Sequence, residues 1–185
     1  FTGQVPAQPQ STGIDLALRQ PQSDSDWARA EIARTKRDVG EQWAALLPQA
    51  ASDAKRPVAE RLRALDLMAI YGPMPDATLL LTLSKDASSE VRAAAARRMA
   101  RGGDAQFDAR LAEVLADKEP WVRRVACESI AYRKSSEAPV AKLIELLNDE
   151  DRFVAFAARR ALEAQPTASW ATAVLDAQQD RKSVV

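Results

Sequence analysis

Residues 117–133 read DKEPWVRRVACESIAYR, an acidic turn that runs into a helix opening on Val122 and Arg123. Nearly the same phrase stands at 86–101, DASSEVRAAAARRMAR, and again at 149–163, DEDRFVAFAARRALE. Self-similarity at a period of about 20 to 50 residues marks an array of repeats, and it outranks any local reading. Three independent registers give the same period. Leu47, Leu79, Leu111, Leu143 and Leu175 follow one another at intervals of 32. Met68, Met99, Ile130 and Leu162 step by 31, 31 and 32, and Asp53, Asp86, Asp117 and Asp149 by 33, 31 and 32. Each unit holds two apolar segments with helical spacing, such as Leu143, Ile144, Leu146 and Leu147, then Val122, Val125, Ala126 and Ile130. Such segments are too short and too rich in Ala for strands. The repeat is a helix pair and the fold class is all-α, a solenoid of stacked pairs.

The Leu register predicts first helices over 41–51, 75–85, 105–116 and 137–148, and a closing helix over 168–178. The second helices fall over 57–70, 89–101, 120–133 and 152–164. A flanking helix at 25–38 precedes about four pairs between 40 and 164, so the solenoid is expected to run from 24 to 180. Residues 1–23 read as a flexible tail or linker and 181–185 as a tail.

An Asp in the turn suits an N-cap or an Asx-turn, because its carboxylate accepts amides that the following helix leaves unpaired. Six residues later stands an Arg: Arg92 after Asp86 and Arg123 after Asp117. One and a half helical turns on, the guanidinium reaches the turn Asp of its own or an adjacent repeat, which predicts a ladder through Asp86, Arg92, Asp117, Arg123 and Asp149. The ladder is incomplete, since Asp149 plus six is Ala155 and Asp53 precedes Arg61 by eight. End repeats of an array are commonly atypical.

Composition excludes much of chemistry. In 185 residues there is no His and one Cys, so the usual zinc sites, Ser-His-Asp or Cys-His nucleophile systems and axial His haem ligation have no residues to build on. Cys127 has no partner for an internal disulfide and reads as a small buried hydrophobe; a reactive thiol would need exposure and an electropositive setting. There is no phosphate-cradling glycine loop, and Gly102 and Gly103, followed by Asp104, read as a helix C-cap. Carboxylate-only catalysis is the remaining enzymatic reading, and the Asp and Glu residues fall mostly in turns or at solvated helix positions. We therefore expect no catalytic residue, no metal and no cofactor. No apolar run reaches the roughly 18 residues of a membrane span. Lys plus Arg and Asp plus Glu both number 26, so no net charge draws the chain to nucleic acid or an anionic membrane. It opens on Phe1 rather than Met, as a processed or excised piece would.

The turn-and-helix phrases, with VR opening the second helix and Ala four or so positions on, resemble the HEAT repeat in its short bacterial form, that of the phycobiliprotein-lyase-like proteins. The resemblance covers about residues 40–178. It implies a right-handed solenoid whose Val-Arg helices line the concave side, and it does not imply one function, since such arrays serve as scaffolds, transport receptors, lyases and nucleic-acid binders. HEAT-based di-iron hydroxylases need His-Glu pairs that this chain lacks. At longer range, QPQSDSDWARAEIARTKRDVGEQW (20–43), ALDLMAIYGPMPDATLLLTLSKDASSEVRA (64–93) and DEDRFVAFAARRALEAQPTASW (149–170) resemble the helical middle of large secreted bacterial proteins. Those proteins join an N-terminal β-propeller and a C-terminal c-type cytochrome module. On that resemblance FTG is the last propeller strand running out, QVPAQPQSTG is the linker, and the location is periplasmic or extracellular. No CxxCH is present, so neither haem nor redox chemistry carries over to any residue here.

The expected role is a non-catalytic scaffold whose partners are proteins or other domains of the same polypeptide. Candidate surface residues are Arg97, Arg98, Trp121, Arg124, Phe153 and Arg160. Trp121 and Phe153, 32 apart and each just before the helix-opening Val, read as packing over the seam between repeats, with an exposed partner-binding anchor as the alternative. Trp27 and Trp43 are expected to seal the N-terminal end and Trp170 the C-terminal one. Nucleic-acid binding is the rival reading, because the Val-Arg helices carry an excess of Arg. Against it, the column Asp66, Arg97, Glu128, Arg160 alternates in sign and breaks a continuous phosphate track.

Overall fold

The computed structural model describes residues 13–175 apart from Ser136. All the regular structure among the described residues is helical. The chain forms two compact units, Phe1–Pro75 and Asp76–Val185.

In the first unit, α1 (Ile14–Leu18) packs on α2 (Asp26–Val39), a 3-10 turn at Gly40–Gln42 leads into α3 (Trp43–Ser52), and α4 (Val58–Tyr71) closes it. Ser25 starts α2 by accepting the Ala28 amide at 3.2 Å, and Gly40, at φ 62, ends it where a side chain would be strained. Ile32, Leu47, Leu65 and Met68 are buried in this unit's core. Trp43 is buried with them, and its indole N–H donates to the Gly72 carbonyl at 2.8 Å.

Two expectations fail here. The stretch 1–23 was expected to be a tail, yet Ile14, Ala17 and Leu18 are buried and α1 is pinned by Asp15, which accepts from Arg56 at 2.9 Å. The IDLAL pattern is too short to stand out as a helix from its neighbours; it is held by tertiary contacts. Trp27, expected to seal this end, is 67% exposed, because Ala28 and Ile32 rather than Trp27 face the core. The compact units divide at Pro75 and Asp76, where Gly72, Pro73 and Pro75 interrupt the helical pattern.

The second unit alternates two sets of helices. α5 (Ala77–Leu83), α7 (Gln106–Val114) and α9 (Val140–Leu146) are the first helices of their pairs, and α6 (Ser89–Met99), α8 (Pro120–Arg133) and α10 (Arg152–Glu163) the second. α6 packs on α8 and α8 on α10, an α-solenoid arrangement. The equivalent Val91, Val122 and Val154 are fully buried, each stabilising the stack by about 1.5–3 kcal/mol relative to exposure. Met99, Ile130 and Leu162 fill the next layer, as Met68 does in the first unit. Of the Leu register, Leu47, Leu111 and Leu143 are fully buried, Leu80 is buried beside a half-buried Leu79, and Leu175 is exposed.

The turn aspartates form Asx-turns. Asp86, Asp117 and Asp149 accept the amides of Ser88, Glu119 and Asp151, two residues on, at 2.9–3.0 Å. Capping of α6 falls to Ser88, which accepts the Val91 amide, and of α10 to Asp151, which accepts those of Phe153 and Val154. α8 begins on Pro120, which needs no amide partner. Gly102 and Gly103 are not a left-handed C-cap, since the positive-φ glycines are Gly13, Gly40 and Gly72. Gly102 is required for another reason: a Cβ there would stand 2.3 Å from Cε2 of Phe107. After a 3-10 turn at Thr167–Ser169 the chain is helical again over 171–175. The stretch before residue 13, expected as a strand end and linker, the remainder of the closing helix beyond 175 and the tail 181–185 are outside the described residues.

Candidate functional site

Two features stand above the helical background: a set of arginines that tie one repeat to the next, and a surface on α8 and α10 where aromatic side chains remain exposed.

Arg92 on α6 donates from Nε and Nη2 to the two carboxylate oxygens of Asp117, at 2.7 and 2.8 Å, and from Nη1 to the carbonyls of Asp86 and Ala87. Arg123 on α8 repeats the arrangement one unit later. It grips Asp149 at 2.8 Å twice, and donates to the carbonyls of Asp117 and Lys118. Each arginine thus closes its own turn through main-chain oxygens and the next repeat's turn through a carboxylate. Of the two geometries open to the sequence, the carboxylate bond goes to the adjacent repeat. The Arg123 bond holds the Asp149 carboxyl below the usual carboxylate range against the opposing effect of burial. At Asp117 burial is the largest influence and pushes upward, but the Arg92 bond and the Glu119 amide together carry the net shift down. In the first unit the buried Arg61 donates to the Ala51 carbonyl at 2.9 Å.

A third clamp was not foreseen. Arg133, at the end of α8, donates to both oxygens of Asp108 at 2.7 and 2.8 Å and to the carbonyls of Met99, Gly102 and Asp104. Its guanidinium also lies 5.8 Å from the centre of the Phe107 ring. It gathers the end of α6, the following loop and the start of α7 around one charge. Nothing periodic announces it, since the equivalent positions hold Gly102 and Gln165.

Of the other candidate residues, Trp121 is 38% exposed and Phe153 52%. Neither is sealed into the seam between repeats, so the anchor alternative fits their exposure. Phe156, not singled out in the sequence, is 62% exposed. Arg160 is exposed and shares Glu163 with Arg159, at 2.5 and 2.8 Å. Arg124 is half-buried and 3.4 Å from Glu128. Arg97 is exposed, while Arg98 is half-buried and donates to the Ala94 carbonyl. Cys127 is buried between repeats, and its thiol is pushed up to about 12, first by burial and then by the Asp149 and Glu128 charges. It is an inert packing group. Among the described residues no cluster of His, Cys, Asp and Glu could hold a metal ion, and no helix is long and apolar enough to cross a membrane.

The profile of HEAT repeats matches this chain twice, over residues 76–163 and 107–185, so that more than half of the chain is covered. The chain belongs to the HEAT-repeat family. No curated protein matches it. HEAT repeats are generally non-catalytic and commonly serve as protein-interaction scaffolds. In this HEAT array the Arg92 and Arg123 clamps sit at the turns, and the exposed Trp121, Phe153 and Phe156 lie on α8 and α10.

Proposed function

We propose that this HEAT array is a non-catalytic interaction module that positions neighbouring domains of a larger exported bacterial protein, in the periplasm or outside the cell. The observation that carries this reading is the coexistence of a fixed frame and an unsatisfied surface. Arg92 and Arg123 lock successive repeats in register through two-point bonds to carboxylates that are themselves largely buried. Beside them Trp121, Phe153 and Phe156 keep a large part of their rings in water. Exposed aromatic side chains on a rigid element are the usual anchors of protein interfaces. The export and the neighbouring domains rest on the likeness of residues 20–43, 64–93 and 149–170 to propeller, HEAT and cytochrome proteins.

Nucleic-acid binding is the second reading, favoured by the exposed Arg97, Arg159 and Arg160. Glu128 and Glu163 stand among those arginines, and an interrupted column is a poor phosphate track. Photo-crosslinking separates the readings. In the protein in extract of the producing cell, benzoylphenylalanine is placed singly at positions 121, 153 and 156, and at position 132, where Tyr132 of α8 is also exposed; the adducts are identified by mass spectrometry. Polypeptide adducts are expected. Adducts to DNA or RNA alone would replace the scaffold with the nucleic-acid reading.

A further inference from the structure

We infer that the exposed side of α10 docks an acidic polypeptide segment bearing apolar side chains; this deepens the interaction-module reading and rests on it. On α10 the core side is Val154, Ala157, Ala158, Ala161 and Leu162, all buried. The opposite side, at spacings of three, four and seven, carries Arg152, Phe153, Phe156, Arg159, Arg160 and Glu163, all exposed. Two phenylalanines and three guanidiniums therefore share one surface with a single carboxylate.

At two positions this surface differs from the helices on which a further repeat packs. The position of Phe156 is Ala93 in α6 and Arg124 in α8, and that of Arg159 is Ala96 in α6 and Cys127 in α8. Ala93, Ala96 and Cys127 are buried, small groups that let neighbouring helices approach closely. A Phe, and an Arg paired with Glu163, in place of such small groups would hold a following apolar helix off.

The chemistry that satisfies this side is specific. Phe153 and Phe156 need apolar cover. Arg152, stacked 4.8 Å from the centre of the Phe153 ring, has its guanidinium beside that cover, and Arg159 and Arg160 already share Glu163. Carboxylates of a partner would supply the acceptors in two-point geometry. With residues 171–175 in place both rings are still more than half exposed. The remaining segment, DAQQDRKSVV, balances Asp176 and Asp180 with Arg181 and Lys182, so it is not the acidic occupant. A nucleic acid would meet Glu163 at the centre of the arginines and Glu128 on the adjoining helix.

The probe is a fluorescein-labelled synthetic peptide of about 18 residues, with leucines at helical spacing and glutamates elsewhere. Its controls replace glutamate by lysine, or leucine by serine, and oligo(dT) serves as a nucleic-acid probe. Anisotropy is followed with the full chain and with two surface variants, Phe153→Ser with Phe156→Ser, and Arg159→Glu with Arg160→Glu, whose thermal midpoints confirm folding. The acidic leucine peptide is expected to bind saturably, and each variant and each control peptide to weaken binding about tenfold or more. Equal binding of the lysine peptide, tighter binding of oligo(dT), insensitivity to either variant, or no saturable binding would each overturn the inference. If polypeptide crosslinks persist at position 132 while the peptide fails, the docking inference falls and the scaffold reading stands. Nucleic-acid adducts alone would remove both.

Discussion

Arg123 holds both carboxylate oxygens of Asp149, 26 residues further along the chain, at 2.8 Å each, while its Nη1 reaches back to the main-chain oxygen of Asp117. Asp149 at the same time accepts the Asp151 amide at 2.9 Å. One side chain therefore joins two consecutive turns, and one carboxylate shapes the turn it is held by. The same relation links Arg92 to Asp117. It explains why the repeats rewrite Asp and Arg at matching positions: the bond is made between repeats, so each copy supplies half of it.

The pairing predicts which double-mutant cycle couples. Arg92→Ala and Asp117→Ala should each destabilise by about 3 kcal/mol, because each leaves a largely buried charge without its partner. Together they should cost less than their sum by about 1–3 kcal/mol. Asp117→Ala with Arg123→Ala should be additive to within about 0.5 kcal/mol, because the Arg123 contact to Asp117 is to a carbonyl that alanine retains. Urea melts of the six proteins decide it; strong coupling of Asp117 with Arg123 and none with Arg92 would contradict the bond pattern.

The same carboxylates predict an acid-sensitive contribution. Asp108, Asp117 and Asp149 all titrate below the ordinary carboxylate range when folded, so the unfolded chain binds more protons as the solution is acidified. Their contribution is complete above the unfolded value, near pH 4, and is lost as pH falls through the lower folded values. The stability gap between the unaltered chain and Arg123→Met should accordingly be constant between about pH 5 and 7 and narrow below about pH 4. Denaturant melts followed by circular dichroism at stepped pH measure it. A gap that stays constant into strong acid would show that the Asp149 charge contributes nothing.

Arg133 predicts a local effect. It is the common donor to Asp108, Met99, Gly102 and Asp104, so Arg133→Met should destabilise by about 3 kcal/mol and expose the loop it gathers. In hydrogen exchange, amides of 100–107 should lose protection well before those of α9. Uniform loss across the second unit would mean that Arg133 supports the stack as a whole and not this loop.

Gly102→Ala predicts a packing penalty, since the added methyl would fall 2.3 Å from Cε2 and 2.9 Å from Cδ2 of Phe107. A cost of about 1–3 kcal/mol is expected from displacing a buried ring. The smaller side chain of Phe107→Leu should lower the cost of the alanine, so the pair is measured with and without it by thermal melts. An equal cost in both backgrounds would place the strain elsewhere.

The sequence alone determined the helix-pair repeat, its period and the second helix of each pair. α6, α8 and α10 begin within a residue of where the Val-Arg phrase puts them, because a periodic apolar stripe and a turn Asp are local, additive signals. It also marked Arg92, Arg123 and the turn aspartates, since a bond made once per repeat leaves a periodic trace. Tertiary structure decided what has no such trace. α1 is a short segment held by burial and by Arg56; Arg133 is a clamp made once; Gly102 answers to a ring that approaches it in space. Exposure of Trp121, Phe153 and Phe156 is likewise invisible in the chain, because a large apolar residue beside a core position reads as core until the neighbouring helices are in place. The period records what every repeat does alike, and only packing reveals where one repeat departs from the others.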